Sequence, residues 1–239
     1  MISYIPSDVD QFFDNWTEVL VKYATFAESK NIKPFDVAYE MMQLTGDYQE
    51  KWEQLIQSVR NVYHGEISAN FQNPDEGVNA TFLDQPDVVQ TSVFYRHTDK
   101  FDPTVQELVD SWTETVDGIN IVDKLYQLHL ISGGKKILIG DIAFVSTDGA
   151  NTNFNSINGL TQVVDEQEQA DQFEAFFRVF SNQEDWIMGV TFLTWFPFDS
   201  SKSNEYTSWS WEIGPLGRSI RGKQAEALIK SWFKGEYSN

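Results

Sequence analysis

The chain has 239 residues, 41% of them hydrophobic and 15% aromatic, which is ample for one α/β domain with a packed core and excludes a disordered chain. A formal charge of −19 and a pI near 4.3 repel phosphate backbones and anionic lipid, so no nucleic-acid and no membrane partner is expected, whereas a neutral polysaccharide is not repelled. The absence of cysteine rules out a disulfide framework, a thiolate metal site and a Cys nucleophile.

The start, Met1-Ile2-Ser3-Tyr4-Ile5-Pro6, lacks the basic and apolar parts of a leader, and no apolar run approaches transmembrane length, so the chain reads as soluble. Pro6-Ser7-Asp8 introduces a helix over about 8–29, with Phe12, Phe13, Trp16, Leu20, Tyr23, Phe26 and Ala27 on one wide apolar face and Asp8, Asp10 and Asp14 near its positive end. A strand over 35–40 follows and ends on Glu40. Thr45-Gly46-Asp47 opens a second helix, in which Trp52, Leu55, Ile56, Val59 and Tyr63 recur at helical spacing until His64-Gly65. Residues 66–71 form a short strand, 72–81 a polar loop, and 88–95 a further strand. Helical segments begin at Asp102-Pro103-Thr104 and at Ile121.

Gly133-Gly134 then delivers the chain into Lys135-Lys136-Ile137-Leu138-Ile139-Gly140-Asp141-Ile142-Ala143-Phe144, an apolar run of the kind that forms a fully buried parallel strand. Its acid, Asp141, is read as the strand's last residue. A long polar loop spans 146–164, a helix with Phe173, Phe176, Phe177 and Phe180 spans 166–180, a last strand runs 186–195 and a closing helix 225–233. Strand and helix alternate throughout, which demands a parallel sheet with right-handed crossovers. An open doubly wound sheet and a barrel both fit five strands. No glycine-rich phosphate loop follows the first strand, which counts against a nucleotide site. The chain opens on a helix with no strand before it, and the first strands of a barrel are expected to be missing.

Glu40 and Asp141 are the candidate catalytic pair: two acids at the tips of two strands in one sheet, where α/β barrels carry their chemistry. Glu40 sits between Val37-Ala38-Tyr39 and Met41-Met42, apolar surroundings that suit a general acid, although a helix cap or a lysine partner is the plain alternative. Asp141 could likewise be a turn cap. Trp195 could floor a sugar ring or fill the core, and Trp209-Ser210-Trp211 could widen an aromatic subsite or pack on the closing helix. Tyr95 could hydrogen-bond a nucleophilic carboxylate and His97 a sugar hydroxyl. With three scattered histidines, no H-E-x-x-H and no G-x-S-x-G, neither a zinc site nor a serine hydrolase is expected, and no cofactor is expected. The pairs Asp148-Gly149 and Asp165-Glu166 are what an acidic chain offers by chance, so no metal is assigned.

Phe12-Phe13-Asp14-Asn15-Trp16, Tyr23-Ala24-Thr25-Phe26-Ala27-Glu28, the strand ending in Glu40, Trp52-Glu53-Gln54-Leu55-Ile56, Gly65-Glu66-Ile67-Ser68-Ala69-Asn70-Phe71, Ile139-Gly140-Asp141-Ile142-Ala143-Phe144 with Ser146, and the Trp195 strand together resemble the middle of glycoside hydrolase family 113 and its barrel relatives. The resemblance implies a (β/α)8 TIM-barrel fold of which this chain supplies strands four to eight, as one domain over 1–239 lacking strands one to three. It implies a retaining β-glycoside hydrolase acting on β-mannan or a related glucan, with Glu40 in the acid/base place and Asp141 in the nucleophile place. Tyr95 and Trp195 take the aromatic places on strands six and eight, and Asn70, His97, Trp209 and Trp211 complete the expected substrate contacts.

Two departures stand out. The family's nucleophile is a glutamate, and Asp141 is one methylene shorter. Missing strands would also leave open sheet edges, so another chain or segment, or a second copy, is expected to cover them. The alternative function is a catalytically weak or inactive carbohydrate-binding or assembly module. The compartment is not legible, although polysaccharide hydrolysis favours a place outside the cell over one inside it.

Overall fold

The computed structural model describes residues 5–153, 163–193, 195–196 and 214–236. In chain order the elements are α1 (Val9–Lys30), β1 (Phe35–Tyr39), α2 (Met42–Thr45), α3 (Gln49–Arg60), β2 (Ile67–Phe71), α4 (Pro74–Asn79), β3 (Val88–Ser92), α5 (Val105–Ser111), α6 (Ile121–Ile131), β4 (Ile137–Ile142), α7 (Glu166–Phe180), β5 (Ile187–Phe192) and α8 (Gln224–Phe233). The strands lie in one sheet in the order β1-β2-β3-β4-β5, and β1/β2, β2/β3 and β3/β4 pair in parallel. A doubly wound sheet reverses its order at a switch point, and this one does not. Sequential parallel strands joined by helices follow the winding of a (β/α) barrel.

The chain divides into two compact units. The first comprises Met1–Val93, Lys124–Gly140 and Asp185–Gly189, and the second Phe94–Asp123, Asp141–Glu184 and Val190–Asn239.

In the first unit, α1 starts where the Asp8 side chain accepts from the Gln11 N–H at 3.0 Å and ends where Asn31 turns left-handed at φ 52°. Phe13, Leu20, Ala24 and Ala27 bury one face of α1, and α3 packs against the helix with Trp52, Leu55, Ile56 and Val59 buried. All five residues of β2 are buried, as a parallel strand covered on both faces requires. Trp52 joins the layers: its ring stacks on Phe82 at 4.5 Å, meets Phe13 edge-on at 5.0 Å, and its indole N–H donates to the Leu44 carbonyl at 3.0 Å. The stretch expected as a plain polar loop holds α4, capped by Asn73, whose side chain accepts from the Glu76 N–H at 2.9 Å, with Pro74 in the first turn. Gly77 lets α4 approach the core, because a Cβ there would meet Leu128 at 2.8 Å and Phe71 at 3.0 Å.

The second unit is built around α7, which packs against α5 and α8. Asp165 caps α7 by accepting from the Glu168 N–H at 2.8 Å. Phe173, Phe176 and Phe180 point into the core, where Trp112 meets Phe176 and Phe180 edge-on at 5.7 and 5.1 Å.

No helix among the described residues is long and apolar enough to cross a membrane. Truncating the fully buried Trp52 to Ala removes the stack, the edge contact and the hydrogen bond together, so urea unfolding of W52A is expected to show a loss of about 3–5 kcal/mol.

Candidate active site

Glu40 follows the last residue of β1, and the parallel register is irregular between Asp36 and Tyr39 just before it. Such irregularities bend a strand and re-aim the side chains that follow. Glu40 is half-buried, its backbone N–H donates to the Asn70 carbonyl at 2.9 Å, and the Ser92 hydroxyl donates to its Oε1 at 3.1 Å. Three strand ends therefore meet at one carboxyl: β1 supplies it, β2 anchors its backbone and β3 orients it. Asn70 is fully buried and registers between Tyr39 and Gln90.

Asp141 lies in the second unit and is half-buried, its N–H donating to the Thr191 hydroxyl at 3.1 Å. The strand does not stop on it, as the sequence reading had it, but continues to Ile142. Gly140 before it is required by close approach, since a Cβ there would meet the Gln90 side chain at 2.5 Å.

The backbone at these two acids is unusual. Among the described residues the non-glycine positions with positive φ are Asn31, Glu40, Tyr48 and Asp141. Asn31 caps the C-terminus of α1, which accounts for it, and Tyr48 is the residue before α3. Glu40 at φ 49° and Asp141 at φ 55° are the two strand-end carboxylates. A left-handed conformation costs a non-glycine residue roughly 1–2 kcal/mol, less for Asp with its short polar side chain, and such strain concentrates at functional sites.

Tyr95, His97 and Trp195 belong to the second unit. Tyr95 is half-buried with its phenolic oxygen enclosed. His97 is 4% exposed, enclosed by Trp112 and Phe144 at ring distances of 4.8 and 6.3 Å, with Nδ1 2.8 Å from the Ser111 hydroxyl. Burial pushes its imidazole down to about 4, so it is neutral near neutral pH and packs inside the unit. Trp195 is 46% exposed, with the Arg221 guanidinium 5.7 Å from its ring centre. Trp209 and Trp211 lie outside the described residues.

Sequence reasoning missed four groups. Ser92 reaches Glu40, and Glu76 is buried on α4; neither carries a signal beyond its place near a strand end. Glu168 is buried and accepts from the N–H groups of Gly149 and Asn151 at 2.7 and 2.9 Å and from the Asn151 amide at 2.8 Å, which holds the turn after β4. Burial pushes its carboxyl up against those three donors. Lys223 is 4% exposed, and its Nζ donates to the Ser146 hydroxyl and the Gly217 carbonyl, both at 2.7 Å. Gln169 adds a bond to the Phe144 carbonyl at 2.6 Å, so this buried polar knot ties the chain leaving β4 to residues 214–219.

Residues 4–211 match the sequence model of Glycoside Hydrolase Family 113, and no curated protein matches. Among solved structures, a complex of a GH113 β-1,4-mannanase is similar at 22% identity and a TM-score of 0.71, the match covering 98% of this chain and 67% of that one. A second GH113 β-1,4-mannanase structure matches at 24% identity and a TM-score of 0.68, with the same coverage. The GH113 β-mannanase AaManA from Alicyclobacillus acidocaldarius, in complex with ManMIm, matches at 20% identity and a TM-score of 0.69, covering 97% and 65%. The chain thus spans about two thirds of the length of these structures, and its fold is the corresponding part of their barrel.

Burial pushes Lys223 from its ordinary 10.5 down to about 7, against the pull of Glu166. Between those values the unfolded chain binds a proton that the folded chain does not, so stability rises as pH climbs from about 7 towards 10.5 and levels off below about 7, where both states are protonated. Melting temperatures of the wild type are expected to climb through this interval, and those of K223M to climb less.

Proposed function

Because the chain belongs to glycoside hydrolase family 113, we propose that it is a retaining β-glycoside hydrolase acting on β-mannan or a related β-linked glucan. The observation that carries the assignment of residues is the left-handed backbone at two acids, Glu40 and Asp141, each at the C-terminal end of a strand. The names of the structural neighbours, β-1,4-mannanases, support β-mannan as the substrate class.

In the proposed reaction Asp141 attacks the anomeric carbon while the protonated Glu40 gives its proton to the departing glycosidic oxygen. The C–O bond to the leaving sugar breaks as the ester to Asp141 forms. Glu40, now a carboxylate, takes a proton from water, whose oxygen displaces Asp141 and restores both groups. Two inversions leave the configuration retained. The Ser92 hydroxyl holds the Glu40 carboxyl in one rotamer for both proton transfers. Asn70, Tyr95, His97, Trp195, Trp209 and Trp211 are the proposed sugar contacts.

A retaining pair needs its carboxyls about 5–5.5 Å apart, and a misplacement near 1 Å costs on the order of a hundredfold. Asp141 is a methylene shorter than the glutamate that the family resemblance puts in this place, and the left-handed turn at its backbone is the feature proposed to re-aim it. Its shortness also favours a second reading, a module that binds β-linked oligosaccharide without cleaving it. The first three barrel strands are proposed to come from another segment, another chain or a second copy.

E40Q keeps the shape of the side chain and removes the proton transfer, so release of reducing sugar from β-mannan is expected to fall by about 10²–10⁴ with the melting temperature preserved. Undiminished hydrolysis by E40Q would eliminate the mechanism. Calorimetric binding of a manno-oligosaccharide to wild-type protein that releases no reducing sugar would select the second reading.

A further inference from the structure

Phe101 lies in the second unit, in the segment that joins β3 to α5, and it is 46% exposed. A single exposed phenylalanine on a protein surface is ordinary. The order imposed around this one is not. Its ring lies against Gly149 of the turn after β4, where a Cβ would meet the ring carbons Cδ1 and Cε1 at 2.8 Å and Cζ at 3.4 Å. The ring thus fills the place of a side chain at Gly149, whose φ of 79° also calls for glycine.

The backbone on either side of Phe101 is held. Asn151, fully buried, donates from its amide to the Lys100 carbonyl at 2.9 Å and accepts from the Thr98 hydroxyl at 2.6 Å, while its own carbonyl accepts from the His97 N–H at 3.0 Å. The Lys100 N–H donates to the Thr98 hydroxyl oxygen at 3.0 Å, and the Lys100 ammonium pairs with Glu107. Just beyond, Thr104 and Glu107 form the capping box that starts α5. From α7, Glu168 accepts from the N–H groups of Gly149 and Asn151 and so fixes the surface on which the ring rests. Buried side-chain bonds of this kind rigidify a loop, and what this loop presents to water is an aromatic ring.

The neighbours of the ring state what it suits. Asp99, Lys100 and Asp102 are exposed beside it. Carboxylates accept from hydroxyl groups and repel anions, and a planar ring takes the apolar C–H face of a pyranose out of water. That pairing selects a neutral, hydroxyl-rich ligand over an acidic polysaccharide or a nucleotide. Strands β3 and β4 are parallel, so the segments that follow them leave from one edge of the sheet, the edge where barrels carry their sites.

We propose that Phe101 is the platform of a distal subsite, on which a β-linked hexose stacks at some remove from the bond that is cut. This rests on the β-mannan reading of the protein. Asp141 lies on β4 itself, whereas Phe101 and Gly149 both lie well past the ends of their strands. Only a long oligosaccharide therefore reaches the ring.

The test is calorimetry with mannobiose and mannohexaose on E40Q protein, where hydrolysis is suppressed. Adding F101A is expected to weaken mannohexaose binding about tenfold and to leave mannobiose binding unchanged. F101L keeps an apolar contact with Gly149 and lacks the planar ring, and it is expected to bind mannohexaose as weakly as F101A. Unweakened mannohexaose binding by F101A overturns the proposal, as does an equal loss for mannobiose. So does F101L that binds like the parent, because loop packing would then explain the effect. Should F101A fail to fold, F101W decides: mannohexaose is expected to change its tryptophan emission beyond the change in the parent, and no added change refutes the subsite. An E40Q parent that binds neither sugar removes the β-mannan reading and the subsite with it, a failure distinct from the loss of the subsite alone.

Discussion

The structure depends on the parallel register of its first four strands. Parallel strands in sequential order all present their C-terminal ends at one edge, so whatever residues close those strands are brought together regardless of their distance in sequence. Here the register runs from Tyr39 to Asn70 and from Ser92 to Gly140, and its polar consequence is a carboxyl at the end of β1 touched by groups from β2 and β3. A slip of one residue in β3 would turn Ser92 to the opposite face and leave Glu40 without that hydroxyl. The backbone at Glu40 then does what the register alone does not. A strand that continued in extended conformation would send the next side chain to a fixed face, and the left-handed residue breaks that alternation.

Buried polar groups in each unit serve the same end. Glu76, Glu168 and Lys223 are all taken out of water, which is unfavourable for an ion. Each recovers part of that penalty through hydrogen bonds to segments that carry no regular ladder: Gln72, the turn at Gly149 and Asn151, and the stretch around Gly217. Loops after strand ends have few backbone partners of their own, so side chains from helices hold them. This is a costly way to order a loop, and it is used where the chain leaves β1, β2 and β4.

Much of this was legible in the sequence. The helix over 166–180 is read from the spacing of four phenylalanines, and it forms with those bounds. The alternation of strands and helices and the two strand-end acids follow from apolar runs that halt at charge. Other features were not legible, for separate reasons. Helices α2 and α4 are too short to show a period, although Asn73-Pro74 before Asp75-Glu76 is a start signal that could have been used. Apolar residues continue past the true ends of β3 and β5, so both strands were drawn about three residues too long. The burial of His97 and the bonds of Ser92, Glu76 and Lys223 arise from segments distant in sequence, which no local pattern encodes. The left-handed turns at Glu40 and Asp141 run against local propensity, the kind of disagreement expected where function outweighs folding.

The proposed covalent bond between Asp141 and the sugar can be trapped directly. A 2-deoxy-2-fluoro-β-mannoside with a good leaving group slows both steps by withdrawing electrons from the oxocarbenium-like transition state, and the leaving group restores the first step selectively, so a glycosyl-enzyme ester accumulates. Mass spectrometry of the intact protein and of its peptides reads the outcome. A gain of one fluorosugar is expected, located on the peptide that contains Asp141. Hydrolysis of β-mannan with no adduct, or with the adduct on a different residue, would contradict it.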